Sequence, residues 1–317
     1  MEYLILILSL AGIVLGADFL VKGAVVVARK CRVSSFVIGA VIVGIGTSLP
    51  ELVVSTVGAI GGNSEVAIGN VVGSNIFNVF AILGLTALFF PIAVSRENMK
   101  FEIPFCIAVS ILLMLLVYNF FVGGEPRLGR WDGAALLLVF TSFMWISLRR
   151  GKSSAATVGE SVEEENKSLW LAAFSILGGL AALIVSSNFF VDEAVAIARK
   201  LGVSDAFISI TLLACGTSLP ELAASVTAAV KKDTDMALGN IIGSNIFNVT
   251  MILGTASLIT PLTTGKIGLV DYGAMILAAV LPMIFGIRGK ITRIEGLLML
   301  LCYAAYTWYI VTYVMAA

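Results

Sequence analysis

Two stretches decide the architecture: GTSLPELVVS at residues 46–55 and GTSLPELAAS at residues 216–225. Each is followed by a second shared block, GNVVGSNIFNV at 69–79 and GNIIGSNIFNV at 239–249. The copies stand 170 residues apart, and an ungapped comparison of 17–91 with 187–261 finds 34 identities in 75 positions. Apolar bias cannot place Pro, Glu, Ser and Asn at matched positions, so the chain contains an internal duplication.

The surroundings of these blocks are apolar. Of 317 residues, 59% are hydrophobic and 13% charged, and the mean hydropathy is +1.04. Soluble domains are about 45–50% apolar and about 25% charged, so the chain reads as an all-α integral membrane protein. Twenty basic and twenty acidic residues cancel, which leaves no electrostatic case for nucleic acid, and there is no His. A His-ligated metal site and a Ser-His-Asp triad are thereby excluded, and no enzyme or resident cofactor is expected. Cys31, Cys106, Cys215 and Cys302 stand singly in or near apolar segments and read as small buried hydrophobes.

A membrane-crossing helix needs roughly 20 apolar residues. Ten such spans are read, near 3–28, 35–61, 66–91, 101–122, 132–149, 169–197, 205–230, 236–261, 267–286 and 294–316. The repeats then occupy 1–150 (spans 1–5) and 168–317 (spans 6–10), joined by a polar linker at 151–167 that carries Glu163, Glu164 and Glu165. Five spans is an odd number, so the second copy enters the membrane inverted, a plan that recurs in secondary transporters with the substrate site at the repeat interface. With both termini outside, the inward loops hold 14 Lys and Arg and the outward loops 5. That asymmetry predicts external termini and a cytoplasmic linker.

Glu51 and Glu221 fall near the middle of spans 2 and 7, where a charge costs about 2.5–3.5 kcal/mol on insertion scales. Pro50 and Pro220 precede them and predict kinks that free backbone oxygens at membrane depth. Thr47, Ser48, Glu51 and Ser55 share one helix face, as do Thr217, Ser218, Glu221 and Ser225. Asn70, Ser74 and Asn78 form a stripe in span 3, matched by Asn240, Ser244 and Asn248 in span 8. For Asn70 and Asn240, bonding between helices is an equal alternative to a site role. All these donors are oxygen, which suits a hard cation. Two bidentate glutamates and the Thr47 and Thr217 carbonyls would supply about six of the 6–8 oxygens Ca²⁺ takes.

The paired GTSLPE and GN-x-x-GSN-x-x-N segments resemble the two alpha-repeats of the sodium/calcium exchanger branch of the cation/calcium antiporter superfamily. The resemblance covers nearly the whole chain. It implies a cell-membrane antiporter in which Na⁺ entry drives Ca²⁺ out by alternating access, with spans 1 and 6 sliding across the other eight. Its ions are its substrates, the lipid bilayer is its surroundings, and no obligate protein partner is implied. Carried over, Glu51 and Glu221 are the central shared ligands, flanked by Thr47, Ser48, Thr217 and Ser218. Gly44 and Ala214 are carbonyl donors one turn earlier, Ser74 and Ser244 serve the outer sodium sites, and Asn78 and Asn248 form the middle pair. Potassium-dependent relatives have Asp where this chain has Asn248, so the expectation is potassium-independent exchange. Two glutamates leave the Na⁺ to Ca²⁺ ratio open. H⁺/Ca²⁺ antiport is the nearest alternative reading, with a passive cation channel behind it. Lys22 and Asp192 occupy equivalent positions in the repeats, and their charges are expected to reach toward the interface.

Overall fold

The computed structural model describes residues 2–119, 125–154, 168–202 and 214–316. Most of the linker, and the first third of span 7, lie outside them. Within them the chain is helical apart from four two-residue strands. The first repeat runs α1 (Glu2–Lys30), then a second span of α2 (Ser35–Ile38), a π-helical segment (Gly39–Gly44), α3 (Ile45–Thr47) and α4 (Leu49–Ile60). The third span joins α5 (Ser64–Phe77), a π-helical segment (Asn78–Leu83) and α6 (Gly84–Phe89). β1 (Ile92–Ala93), α7 (Arg96–Lys100), α8 (Glu102–Val117), β2 (Arg127–Leu128) and α9 (Arg130–Ser154) complete this half. The second repeat gives α10 (Leu169–Lys200), α11 (Ala214–Gly216), α12 (Leu219–Val230), α13 (Thr234–Phe247), a π-helical segment (Asn248–Ile252) and α14 (Leu253–Ile259). It ends with β3 (Leu262–Thr263), α15 (Leu269–Gly286), β4 (Lys290–Ile291) and α16 (Arg293–Ala316).

Eight of the described helices are long and apolar enough to cross a membrane, and the bent pair Ser35–Thr47 and Leu49–Ile60 makes a ninth span. The described part of the remaining expected span is α11 and α12. The described residues thus form an all-α membrane fold in two inverted halves, consistent with the ten helices expected from the sequence.

The second span departs from the expected kink. It is broken, turning by 47° at Ser48, whose φ −83° and ψ 9° leave the helical well. Ser218 does the same with φ −92° and ψ 7°. Pro50 and Pro220 fall in the first turns of α4 and α12. A proline ring inside a helix clashes with the carbonyl four residues back, whereas in the first turn its missing N–H costs nothing. Ending one helix and starting another is therefore the cheaper solution.

The third and eighth spans form the centre: 72% and 83% of their apolar windows are buried, against 11–39% for the other unbroken spans. α1 and α10 lie together on the outside, antiparallel, with the Ser175 hydroxyl donating to the Phe19 carbonyl at 2.7 Å. Lipid is as apolar as leucine, so helices in a bilayer hold together by close packing of small residues. A Cβ on Gly179 would stand 2.5 Å from the Leu20 nitrogen and 2.7 Å from the Gly16 carbonyl oxygen. Leu4, Ile7, Leu8, Leu15 and Phe19 on the far face of α1 are exposed, as a lipid-facing surface requires.

Contacts between connecting segments sort them onto two sides. On one, β1 pairs antiparallel with β4, the Ala93 N–H donates to Thr234 Oγ1 at 3.3 Å, and the Ser34 N–H donates to the Gly151 carbonyl at 3.2 Å. On the other, β2 pairs antiparallel with β3, the Lys266 N–H donates to Glu65 at 2.9 Å, and Lys200 pairs with Glu2. This is the partition the inverted repeat predicts.

Lys22 pairs with Asp18 at 2.6 Å, and Asp18 also pairs with Lys231 at 2.6 Å, tying α1 to the end of α12. One expectation is corrected, that of four buried cysteines. The four cysteines are free, but only Cys106 is fully buried and Cys31 is exposed.

Candidate functional site

Breaking spans 2 and 7 at Ser48 and Ser218 puts Glu51 and Glu221 in the first turns of α4 and α12. A helix N-terminus favours negative charge, which allows two carboxylates to stand where neither has any solvent exposure. The hydroxyls at the breaks then cross between repeats. Ser48 donates to Glu221 Oε1 at 2.8 Å, and Ser218 donates to Glu51 Oε1 at 3.0 Å. Ser74 adds a longer bond to Glu51 Oε1 at 3.5 Å. Each half thus holds the other half's carboxylate.

Asn70 and Asn240 adopt the bonding role between helices. The Asn70 amide donates to the Glu51 carbonyl at 3.3 Å and to Ser55 Oγ at 3.0 Å. Asn240 donates to the Glu221 carbonyl at 3.2 Å and to Ser225 Oγ at 2.8 Å. Ser55 and Ser225 are therefore partners of these braces. Thr47 donates to Asn240 Oδ1 at 3.3 Å. Span 2 also presses on span 8: Gly243 packs directly on Ala40, where a Cβ would collide with backbone.

The Gly44 carbonyl, one of the expected donors, already serves three hydrogen bonds. Its oxygen accepts the Ser48 N–H at 3.1 Å, the Ser244 hydroxyl at 3.2 Å and the Thr47 hydroxyl at 3.4 Å. Ala214 opens α11, one turn before Ser218, as the repeat requires.

Among the buried oxygens without a hydrogen-bond partner, five belong to the duplicated motifs: Glu51 Oε2, Glu221 Oε2, Asn78 Oδ1, Asn248 Oδ1 and Thr217 Oγ1. Burying polar oxygen without a partner is costly, and burying carboxylate more so. Two carboxylates and two amides left over in equivalent places of two repeats, with the Thr217 hydroxyl beside them, are a donor set for a hard cation. Among the described residues no three of His, Cys, Asp and Glu cluster, so the charge available to such an ion comes from the two glutamates.

Two polar residues inside the shared motif escaped the reading of the sequence. Asn75 and Asn245 are buried and bond across the repeats, each amide donating to the other's backbone carbonyl, at 3.1 and 3.2 Å. The signal was the central N of GSN-x-x-N, which lies one residue off the polar stripe.

The family model described as sodium/calcium exchanger protein matches residues 1–149 and 171–312. CaxA of Alkalimonas amylolytica is 36% identical over 95% of this chain and 97% of its own length. The sodium/calcium exchanger MaX1 of Methanosarcina acetivorans is 34% identical over 96% of this chain and 97% of its own. Among solved structures, the sodium-calcium exchanger NCX_Mj, soaked with 10 mM Na⁺ and no Ca²⁺, superposes with a TM-score of 0.83 at 32% identity, covering 96% of this chain and 97% of that one. Duplicated motifs, inverted halves, crossed carboxylates and these likenesses agree, and the chain belongs to the sodium/calcium exchanger family.

Proposed function

We propose that this cation/Ca²⁺ antiporter is driven by Na⁺, independently of K⁺, and that it works by alternating access at the crossed glutamate pair. The observation that carries the proposal is the single unbonded oxygen left on each buried carboxylate, Glu51 Oε2 and Glu221 Oε2. The two carboxylates together balance one Ca²⁺ or two Na⁺, so one site can serve both ions in turn, and a third Na⁺ would leave one net positive charge. Thr47, Ser48, Thr217, Ser218, Ser74, Asn78, Ser244, Asn248, Gly44 and Ala214 complete the coordination in the different occupancy states.

Na⁺ is favoured over H⁺ as the driving ion by the neutral oxygens beside the glutamates. A proton needs only a carboxylate, whereas Asn78 Oδ1, Asn248 Oδ1 and Thr217 Oγ1 have no use for one. Two similar proteins point the same way: MaX1 is named a sodium/calcium exchanger, and NCX_Mj was solved after soaking in Na⁺, Ca²⁺ and Sr²⁺. Independence from K⁺ follows from Asn248, an amide that adds no charge for a further monovalent ion.

Alternating access is assigned to α1 and α10, the outer pair, whose small-residue seam lets them move as one body across the buried centre. The excess of Lys and Arg on one side supports a cytoplasmic linker with both termini outside.

The test is Ca²⁺ uptake into proteoliposomes under an imposed Na⁺ gradient, with a pH gradient and a K⁺ gradient as separate arms. Uptake that follows Na⁺ alone is expected. Uptake driven by the pH gradient without Na⁺ would instead establish H⁺/Ca²⁺ antiport, and uptake indifferent to every gradient would leave a passive pathway.

A further inference from the structure

We propose that Asn75 and Asn245 are positioning residues that lock the side-chain amides of Asn248 and Asn78 with their oxygens turned to the transported cation. The inference rests on the ion site proposed above and adds a device that determines which atom of those amides the ion meets.

Hydrogen-bond polarity fixes the orientation. A backbone carbonyl can only accept, so the Asn245 group facing the Asn75 carbonyl at 3.2 Å is its NH₂. Asn245 Oδ1 must then lie on the other branch, where it accepts the Asn78 NH₂ at 3.0 Å. Asn78 has spent its amide nitrogen on that bond, and its Oδ1 is left buried without a partner. The mirror chain is the same. Asn75 donates to the Asn245 carbonyl at 3.1 Å, Asn75 Oδ1 accepts the Asn248 NH₂ at 3.1 Å, and Asn248 Oδ1 is left without a partner. Turning any one amide over would set oxygen against oxygen or NH₂ against NH₂.

A brace whose only task was to hold the two repeats together would not need Asn at 78 and 248. The two carbonyl bonds between Asn75 and Asn245 already cross the interface. What the outer two amides add is a pair of buried acceptors with no protein donor, at the points where the third and eighth spans pass into π-helical segments, Asn78–Leu83 and Asn248–Ile252. Single π-turns are enriched at functional sites. An NH₂ in place of either oxygen would repel a cation, so affinity depends on residues that never touch it.

The experiment is a double-mutant cycle on Na⁺-driven Ca²⁺ uptake in proteoliposomes, using Asn75→Leu, Asn248→Ala and the pair. Asn75→Leu is expected to raise the half-saturating concentration of Ca²⁺ or Na⁺ about tenfold or more, the scale of a lost hydrogen bond to charge, with maximal rate changed far less. Asn248→Ala should do the same, and the double variant should be no worse than Asn248→Ala alone, because Asn75 acts through that amide. Asn245 and Asn78 form the second cycle, and Asn75→Ala is read identically should the leucine variant not fold. Half-saturation within twofold of wild type in Asn75→Leu, or losses that multiply in the double variant, would overturn the lock. Glu51→Gln is run alongside: normal transport there would sink the site itself, whereas loss there with normal Asn75 variants sinks only this inference.

Discussion

Replacing Glu221 by Gln separates charge from shape at the site. Glu221 Oε1 accepts the Ser48 hydroxyl at 2.8 Å, while Oε2 has no bonded partner. Glutamine occupies the same volume, so the variant removes one negative charge, and with its oxygen on Ser48 it points an NH₂ where Oε2 stood. Opposite unit charges 4 Å apart attract by about 4 kcal/mol at an effective dielectric near 20, which gives roughly 8 kcal/mol for a divalent ion. Part of this is offset, because the empty protein no longer buries a second carboxylate, whose desolvation costs several kcal/mol. A net loss of about 3 kcal/mol or more lowers Ca²⁺ affinity more than about 100-fold. The gross loss for Na⁺ is half as large, so Ca²⁺ binding must suffer more than Na⁺ binding. Thermal unfolding of the purified protein reads both sides of the argument. Ca²⁺ at 100 times its Kd stabilises wild type by about 2.7 kcal/mol, and the same concentration should stabilise the variant by no more than about 0.4 kcal/mol. Without Ca²⁺ the variant should melt at or above the wild-type temperature. An unchanged Ca²⁺-induced shift, or a greater loss for Na⁺ than for Ca²⁺, would refute the electrostatic reasoning.

Other measurements probe the moving parts. Gly179→Ala puts a methyl group 2.5 Å from the Leu20 nitrogen, so α1 and α10 must separate; a cost of about 1–3 kcal/mol is expected from such overpacking, seen as a lower melting temperature. Asp18→Asn breaks partly exposed pairs to Lys22 and Lys231, each worth about 0.2–1 kcal/mol. The expected result is a stable protein whose rates of Ca²⁺ entry and exit change by up to roughly tenfold relative to one another, because α1 is released from α12; equal changes in both directions would show that the tie does not bias access. Replacing K⁺ by choline on both sides should leave Na⁺-driven Ca²⁺ flux unchanged.

The architecture was legible because duplication writes the same polar residues twice into an otherwise apolar chain. Glu51 and Glu221 stood out for the same reason, and Ser48 and Ser218 do bond to glutamate, but each to the glutamate of the other repeat and not to the one on its own helix face. The crossing from one repeat to the other was not legible, since spacing within a helix says nothing of which helix lies opposite. Asn75 and Asn245 were passed over because a periodicity of four selects one face, and their partners lie on the other repeat. The Asp18–Lys231 pair was hidden by sequence distance: two charges 213 positions apart carry no local pattern. The kink became a break because the proline rule forbids a ring within a helix without saying whether the chain bends or restarts.

The two small strand pairs have a consequence for how such a molecule can be built. β1 with β4 on one side, and β2 with β3 on the other, each join a connection of the first half to one of the second. The reciprocal Asn75 and Asn245 bonds do the same in the middle. Every one of these could form between two separate five-helix chains inserted in opposite directions, with each contact occurring twice. A fused chain is freed from that equality. Lys231 faces Asp18, while the positions 170 residues away are Gly61 and Asn188, neither of them charged. Covalent linkage thus permits a tether on one face of the membrane alone, which no symmetric pair of identical halves could have.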